Sequence, residues 1–349
     1  MTLSPVTYAL KSLETSSSLG LFARDTGGCL ISRVGLSRSK QEREEVSMAE
    51  ISESAIFYFS APLLAKTFGK MFANLYGIKK DVINEPLEVF KSISKDALKK
   101  LQLAKLGQIL SVFSIILPLV YSIAPVRNLI TLSKTGEDEF VSVVGLKKDN
   151  KNKDENKKSA KDKALDLIKK TGIAALSSLF ATGAILGLCK NDKVYEKLKP
   201  LISDFVSKME FSDKADLKLM HYAALIYPAS IAGYFSASRD KYEVMENVRR
   251  FCVTVPLLFL GDKVIEKPIY RFFDKCFKTE VMNSDGIKSY SDILKMPENV
   301  QKDFLKTKNW AFALNFITST MLVAAGVALL NRIQTKKHYE KDNNLTKNN

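Results

Sequence analysis

The sequence predicts an all-α fold, a polytopic membrane helix bundle, and three observations carry that expectation. Four uncharged apolar runs, 106–126, 171–189, 219–238 and 309–331, are each close to the ~20 residues that a helix needs to cross a bilayer. Basic residues close their ends: Lys105 and Arg127, Lys169, Lys170 and Lys190, Lys218 and Arg239, then Lys308 and Arg332. The segments between them are strongly polar. The near-zero mean hydropathy and the 26% charged residues are therefore an average over two unlike kinds of sequence.

Taken in order, residues 1–54 form an N-terminal polar and amphipathic region. Its first twenty residues carry only Lys11 and Glu14 among Ser and Thr, so no cleaved signal peptide is expected. Residues 55–126 read as a first membrane unit. It opens on a short apolar run, 55–65, that contains Pro62, and runs of this length are more often re-entrant, interfacial or core segments than spans. Asn84, followed by Pro86, predicts a helix start. From there Leu87, Phe90, Ile93, Ala97, Leu101 and Ala104 recur at helical spacing opposite Lys91, Lys95 and Lys99. Such a helix suits an anionic lipid surface or an apolar face of the same chain. The first strong span, with Pro118 inside it, follows.

Residues 127–170 read as a charged, partly disordered linker, because 147–163 has one apolar residue and cannot offset its own ordering entropy. Residues 171–238 read as a two-span hairpin. A second membrane-unit pattern, 239–331, begins with the short run 251–261 around Pro256 and ends in the fourth span, where Trp310 suits the headgroup level. Residues 332–349 read as a disordered polar tail. Counting the two short runs gives four to six crossings, and Lys and Arg fall at about one in five residues on either side, so the positive-inside rule assigns no orientation.

Residues 57–64 (FYFSAPLL) and 251–258 (FCVTVPLL) share Phe, Pro, Leu and Leu, with Ser60 opposite Thr254. Each is preceded by an acidic stretch and followed by a Lys-rich stretch and a full span. This order of parts is what a parallel internal repeat produces, and chance similarity between Leu-rich strings can produce the identities. Short Pro-interrupted segments at corresponding places in two halves are where a transporter's binding site is sought, which makes Ser60, Pro62, Thr254 and Pro256 the candidate substrate-binding residues. The strong spans hold no Asp, Glu, Lys or Arg for a midplane relay. Asp262 and Glu266, beyond the second short run, are the remaining acidic candidates, and solvated charges at a membrane boundary would look the same.

Small residues at helical spacing, Gly183 with Gly187, Ala229 with Gly233 and Ala237, and Ala324 with Ala328, are candidate helix-packing rows, within the chain or between copies. No catalytic constellation emerges: there is no phosphate loop, HExxH or GxSxG, and His221 has no acidic residue near it in sequence. The four cysteines are scattered, with two histidines in the chain, and match no metal spacing, so neither metal nor cofactor is expected. Cys189 and Cys252 lie in apolar surroundings that favour burial. The +15 charge is spread over loops without interleaved aromatics, which argues against nucleic acid and for lipid headgroups. The expected function is that of a non-enzymatic membrane scaffold or interaction protein, partnered by the bilayer, anionic lipids, a second copy or another membrane protein. The alternative is a transporter or lipid-handling protein.

Overall fold

The computed structural model describes residues 4–90, 93–147, 153–212 and 215–347; a few side chains inside its helices, those of Thr254 and Asp262 among them, lie outside the described set. The fold is all-α, 84% helical, with one two-stranded hairpin among the described residues. In chain order the helices are α1 (Pro5–Thr15), α2 (Ser17–Arg24), α3 (Ile31–Gly35), α4 (Lys40–Ser54), α5 (Ala61–Tyr76), α6 (Lys95–Thr135), α7 (Phe140–Val143), α8 (Lys153–Cys189), α9 (Asp192–Met209), α10 (Leu219–His221), α11 (Tyr227–Ser236) and α12 (Lys241–Phe277). The hairpin β1 (Met282–Asn283) and β2 (Gly286–Ile287) leads to α13 (Tyr290–Ile293) and α14 (Glu298–Lys347). Among the described residues three π turns, Asp25–Leu30, Ala55–Ser60 and Tyr222–Ile226, interrupt the sequence of α-helices.

Among the described residues three helices, not four, are long and apolar enough to cross a membrane: α6, α8 and α14. They contain the expected runs 106–126, 171–189 and 309–331. The run 219–238 is the exception. It folds as the three-residue α10, a π turn and the ten-residue α11, with Pro228 in the first turn of α11. Proline cannot donate to the helical ladder, and a π turn shifts the hydrogen-bond register just ahead of it. The same pairing of π turn and proline occurs at Ala55–Ser60 and Pro62. Pro256, by contrast, lies inside the continuous α12.

The chain divides into two compact units. One comprises 51–143 and 147–240. Here α6 is central, packed on α5, α8 and α11. Phe57 and Tyr58 from one π turn meet Tyr227 edge-on and Tyr222 stacked, so the apolar content of 219–238 is spent on a protein core. Helix α6 begins at Lys95 with Ser94 as its cap, not at Asn84. The residue before Pro86 is extended, as a pre-proline residue prefers, and Asn84 accepts a hydrogen bond from Gln108 at 3.1 Å instead of capping. Gly77 closes α5 in the left-handed conformation (φ 66°), with Ile78 N–H reaching back to Ala73.

The other unit comprises 1–50, 144–146 and 241–349. Helix α12 packs along α14, and α1, α3 and the first π turn lie on α14 as well. Gly28 permits this: a Cβ there would fall 2.2 Å from Thr320 Cγ2. Tyr270, Val281, Tyr290, Ile293, Leu305 and Ala311 form a core where the hairpin and α13 meet α12 and α14.

Two stretches expected to be unstructured are helical where described. Helix α8 starts at Lys153, inside the expected linker, and α14 runs to Lys347. Lys, Glu and Asp on an exposed helix keep their charges in water, and a helix already propagating from an apolar stretch adds further turns without a new nucleation cost. Residues 148–152 lie outside the described set. Cys252 is exposed, contrary to its apolar neighbourhood in sequence, whereas Cys189 and Cys29 are buried and all four cysteines are free thiols.

Candidate functional site

An open groove of about 1210 Å³ lies in the unit built on α6, between α6, α8 and α11. Its walls are apolar over most of their length: Leu110, Phe113, Leu117 and Leu129 from α6 face Leu167 and Ala174 from α8. Ser114 and Thr182 join the two helices by a 3.3 Å hydroxyl contact. Lys163, Asp166 and Lys170 line the end of the groove beside Leu129, with Lys170 held 2.7 Å from Asp166. From Leu110 to Leu129 the α6 wall runs about 28 Å at 1.5 Å per residue, comparable to a bilayer's hydrocarbon thickness of ~30 Å.

Two prolines shape this wall. Pro118 and Pro125 both line the groove, and each deprives the carbonyl four residues earlier, Ser114 and Tyr121, of its helical donor. At Tyr121 the consequence is visible. Gly233 of α11 sits so close that a Cβ would lie 2.3 Å from the Tyr121 carbonyl oxygen, an approach open only to glycine. Asn128 Nδ2 donates to Ala237 O at 2.6 Å and fixes the far end of α11 on the same helix.

Below the groove a buried polar network holds the start of α6 in place. Lys105 is only 1% exposed; its Nζ donates to Glu210 Oε2 at 3.1 Å and to the Glu85 carbonyl at 2.6 Å. Glu210 also accepts from Leu87 N–H at 2.9 Å and faces Lys218 at 3.4 Å. Gln108 Nε2 donates to Ala65 O. His221 is fully buried between Phe113 and Phe211. Lys218 N–H donates to its Nδ1 at 2.9 Å, so Nε2 carries the proton and donates to Met209 O at 2.7 Å. Burial holds the ring neutral and pushes its pKa down to about 4. With both nitrogens engaged by main chain, the imidazole works as a structural tie between α9 and the chain entering α11.

The other unit carries an ionic cluster beside the stretch of α14 from Ala324 to Arg332. Arg38 binds Glu42 at 2.7 Å and Glu246 at 2.8 Å, while Arg33 and Arg250 share Glu50. Ala324 and Ala328 line the small adjoining cavity, about 70 Å³, together with Cys29, whose thiol is pushed up to about 12 by burial and the neighbouring Asp25. Such a thiol stays protonated and unreactive.

Of the residues singled out by sequence, Ser60 is half-buried, its Oγ donating to Ala55 O within the π turn, and Pro62 is half-buried beside it. Pro256 is exposed on α12. Ser60, Pro62 and Pro256 line neither the groove nor the other two cavities described, and the side chain of Thr254 lies outside the described residues. Ala229 and Ala237 line the groove with Gly233 buried beside them, whereas Gly183 and Gly187 are exposed on α8 with open space around them. Glu266 lines a third cavity, in the α12–α14 unit. Among the described residues no cluster could hold a metal ion. Sequence reading missed Lys105 and Glu210 as partners; the one available signal was a lysine immediately flanking an apolar run.

No protein-family model, no curated protein and no solved structure matches this chain.

Proposed function

We propose that this is a multi-pass integral membrane protein that holds a membrane lipid in the α6–α8–α11 groove and acts by binding rather than catalysis. The groove carries this reading: it is long, apolar, open along one side and lysine-bearing at one end, the form taken by an acyl chain with an anionic headgroup. Helices α6, α8 and α14 are its membrane crossings. An odd number of crossings places the ends of the chain on opposite faces, which reporter fusions at Ser18 and the C-terminus would test. The lipid reading is tested by purifying the protein in mild detergent and weighing co-purified lipid by native mass spectrometry. Ala174→Trp, which fills the groove, should lower bound lipid at least fivefold; unchanged lipid content in a folded variant overturns it.

A second reading, a membrane scaffold, draws support from Gly183 and Gly187, which leave an uncrowded small-residue row on α8 for another helix. Cysteine at 187 in a background lacking the native cysteines would form disulfide-linked dimers in membranes if a second copy docks there. The duplication expected from the short Pro-containing runs gains support from a different register. Ser-Arg-Ser-Lys at 37–40 and Ser-Arg-Asp-Lys at 238–241 each open a long helix, α4 and α12, and each follows a π turn and a short helix.

A further inference from the structure

In the α12–α14 unit a cavity of about 390 Å³ lies between α1, α2, α12, the hairpin and α14. One stripe of α14 forms its wall, Lys308, Phe312, Asn315 and Phe316, at spacings of four, three and one residues. Asn315 is 5% exposed, and its amide carbonyl is buried without a hydrogen-bond partner. An unsatisfied buried acceptor is destabilising, so its position on a cavity wall asks for a donor supplied from inside the cavity. The walls also carry both signs of charge. Lys308 is 2.6 Å from Glu14 and lies over the rings of Tyr270 and Tyr290, and Arg24 lies over Phe316. Glu266 and Lys267 complete the lining from α12.

We infer that this cavity binds a small zwitterion, an ammonium and an anionic group a few atoms apart, with the ammonium donating to the Asn315 carbonyl beside the Phe312 and Phe316 rings and the anionic end facing Arg24 and Lys267. A metal ion is disfavoured by the basic residues, and a purely apolar ligand would leave Asn315 unpaired. The volume lies at the small end of the usual range for ligand pockets. Two sources share this chemistry, a free apolar amino acid and a phosphatidylethanolamine headgroup.

The test measures binding to the full-length protein in detergent by isothermal titration, with L-phenylalanine and a short-chain phosphatidylethanolamine as probes. Phenylacetate, phenethylamine and a short-chain phosphatidylglycerol serve as single-charge controls. At least one zwitterion should bind tenfold or more tightly than all three controls, and which one does so identifies the source. Asn315→Leu should abolish that binding while raising the melting temperature of the empty protein, since an unpaired polar group is removed. Lys267→Gln, at an exposed position, should weaken binding severalfold without affecting folding. Absence of binding by both zwitterions, equal binding of any control, or unchanged affinity in folded Asn315→Leu overturns the proposal.

Discussion

Helices α6 and α8 are both candidate spans by length and composition, yet 56% of the apolar window of α6 is buried inside the protein against 17% for α8. Helix α6 carries Lys105, Gln108 and Ser111 inward, all buried, and is covered by α5, α8 and α11. Helix α8 shows Leu176 and Phe180, the latter 82% exposed, to its surroundings. Apolarity alone does not separate a helix that organises a core from one left exposed along an apolar face. The difference lies in the polar residues each helix can afford: α6 buries a lysine because α9 delivers Glu210, and the exposed face of α8 is free of charge from Thr171 to Cys189.

The sharpest way to break this comparison is at the ion pair. Glu210→Ala leaves Lys105 buried without its carboxylate, which should cost about 3–5 kcal/mol, the usual penalty for stranding one member of a buried pair. Thermal unfolding in detergent measures it. Replacing both residues with methionine should recover most of the loss, because no charge is then left buried; a double variant as unstable as the single one would show that the pair is not what holds α9 against α6. An α8 substitution such as Phe180→Ala should stay within about 0.5 kcal/mol in the same assay.

Acid should weaken the α6 unit next. His221 is neutral in the fold, with its pKa lowered to about 4, while in the unfolded chain it titrates near 6.5. The unfolded state therefore binds more protons across that interval. Stability from this group is complete above about pH 6.5, falls as the pH drops, and levels off below about 4, for a total of roughly 3 kcal/mol. His221→Leu should remove this part of the acid slope, and a slope identical to that of the native protein would contradict the assignment.

How much of this was legible before the structure follows from what is local in sequence. The positions of α6, α8 and α14 were legible, because each span is a continuous run bounded by charges. The fate of 219–238 was not: its composition is that of a span, and only the partners of Tyr222, Tyr227 and Gly233 show that it belongs to a packed unit. Asn84 and Ser94 are both good caps, and what decides between them is Gln108, twenty-four residues away in sequence, which occupies the Asn84 side chain. Lys105 reads as a boundary lysine until Glu210 is placed beside it across 105 residues. The groove depends on pairing α6 with α8 and α11, an arrangement that hydrophobic periodicity does not encode. The two prolines, paired by analogy between two halves, are not equivalent in the fold: Pro62 follows a π turn, whereas Pro256 is absorbed into an uninterrupted helix, and neither lines a cavity described above.

The smallest effects test the comparison most finely, since Gly233 and Gly183 carry the same small-residue signature in sequence. At Gly233 a methyl group would meet the Tyr121 carbonyl, backbone that cannot swing aside, so Gly233→Ala should destabilise the protein by about 1–3 kcal/mol through overpacking. At Gly183 the methyl group meets open space, and Gly183→Ala should stabilise it by up to about 1 kcal/mol, the helix-propensity difference between the two residues. Melting curves of the two variants should therefore move in opposite directions. If Gly183→Ala is destabilising instead, then α8 is covered on that face by a second helix in the membrane, and the 17% burial describes a protomer waiting for its partner.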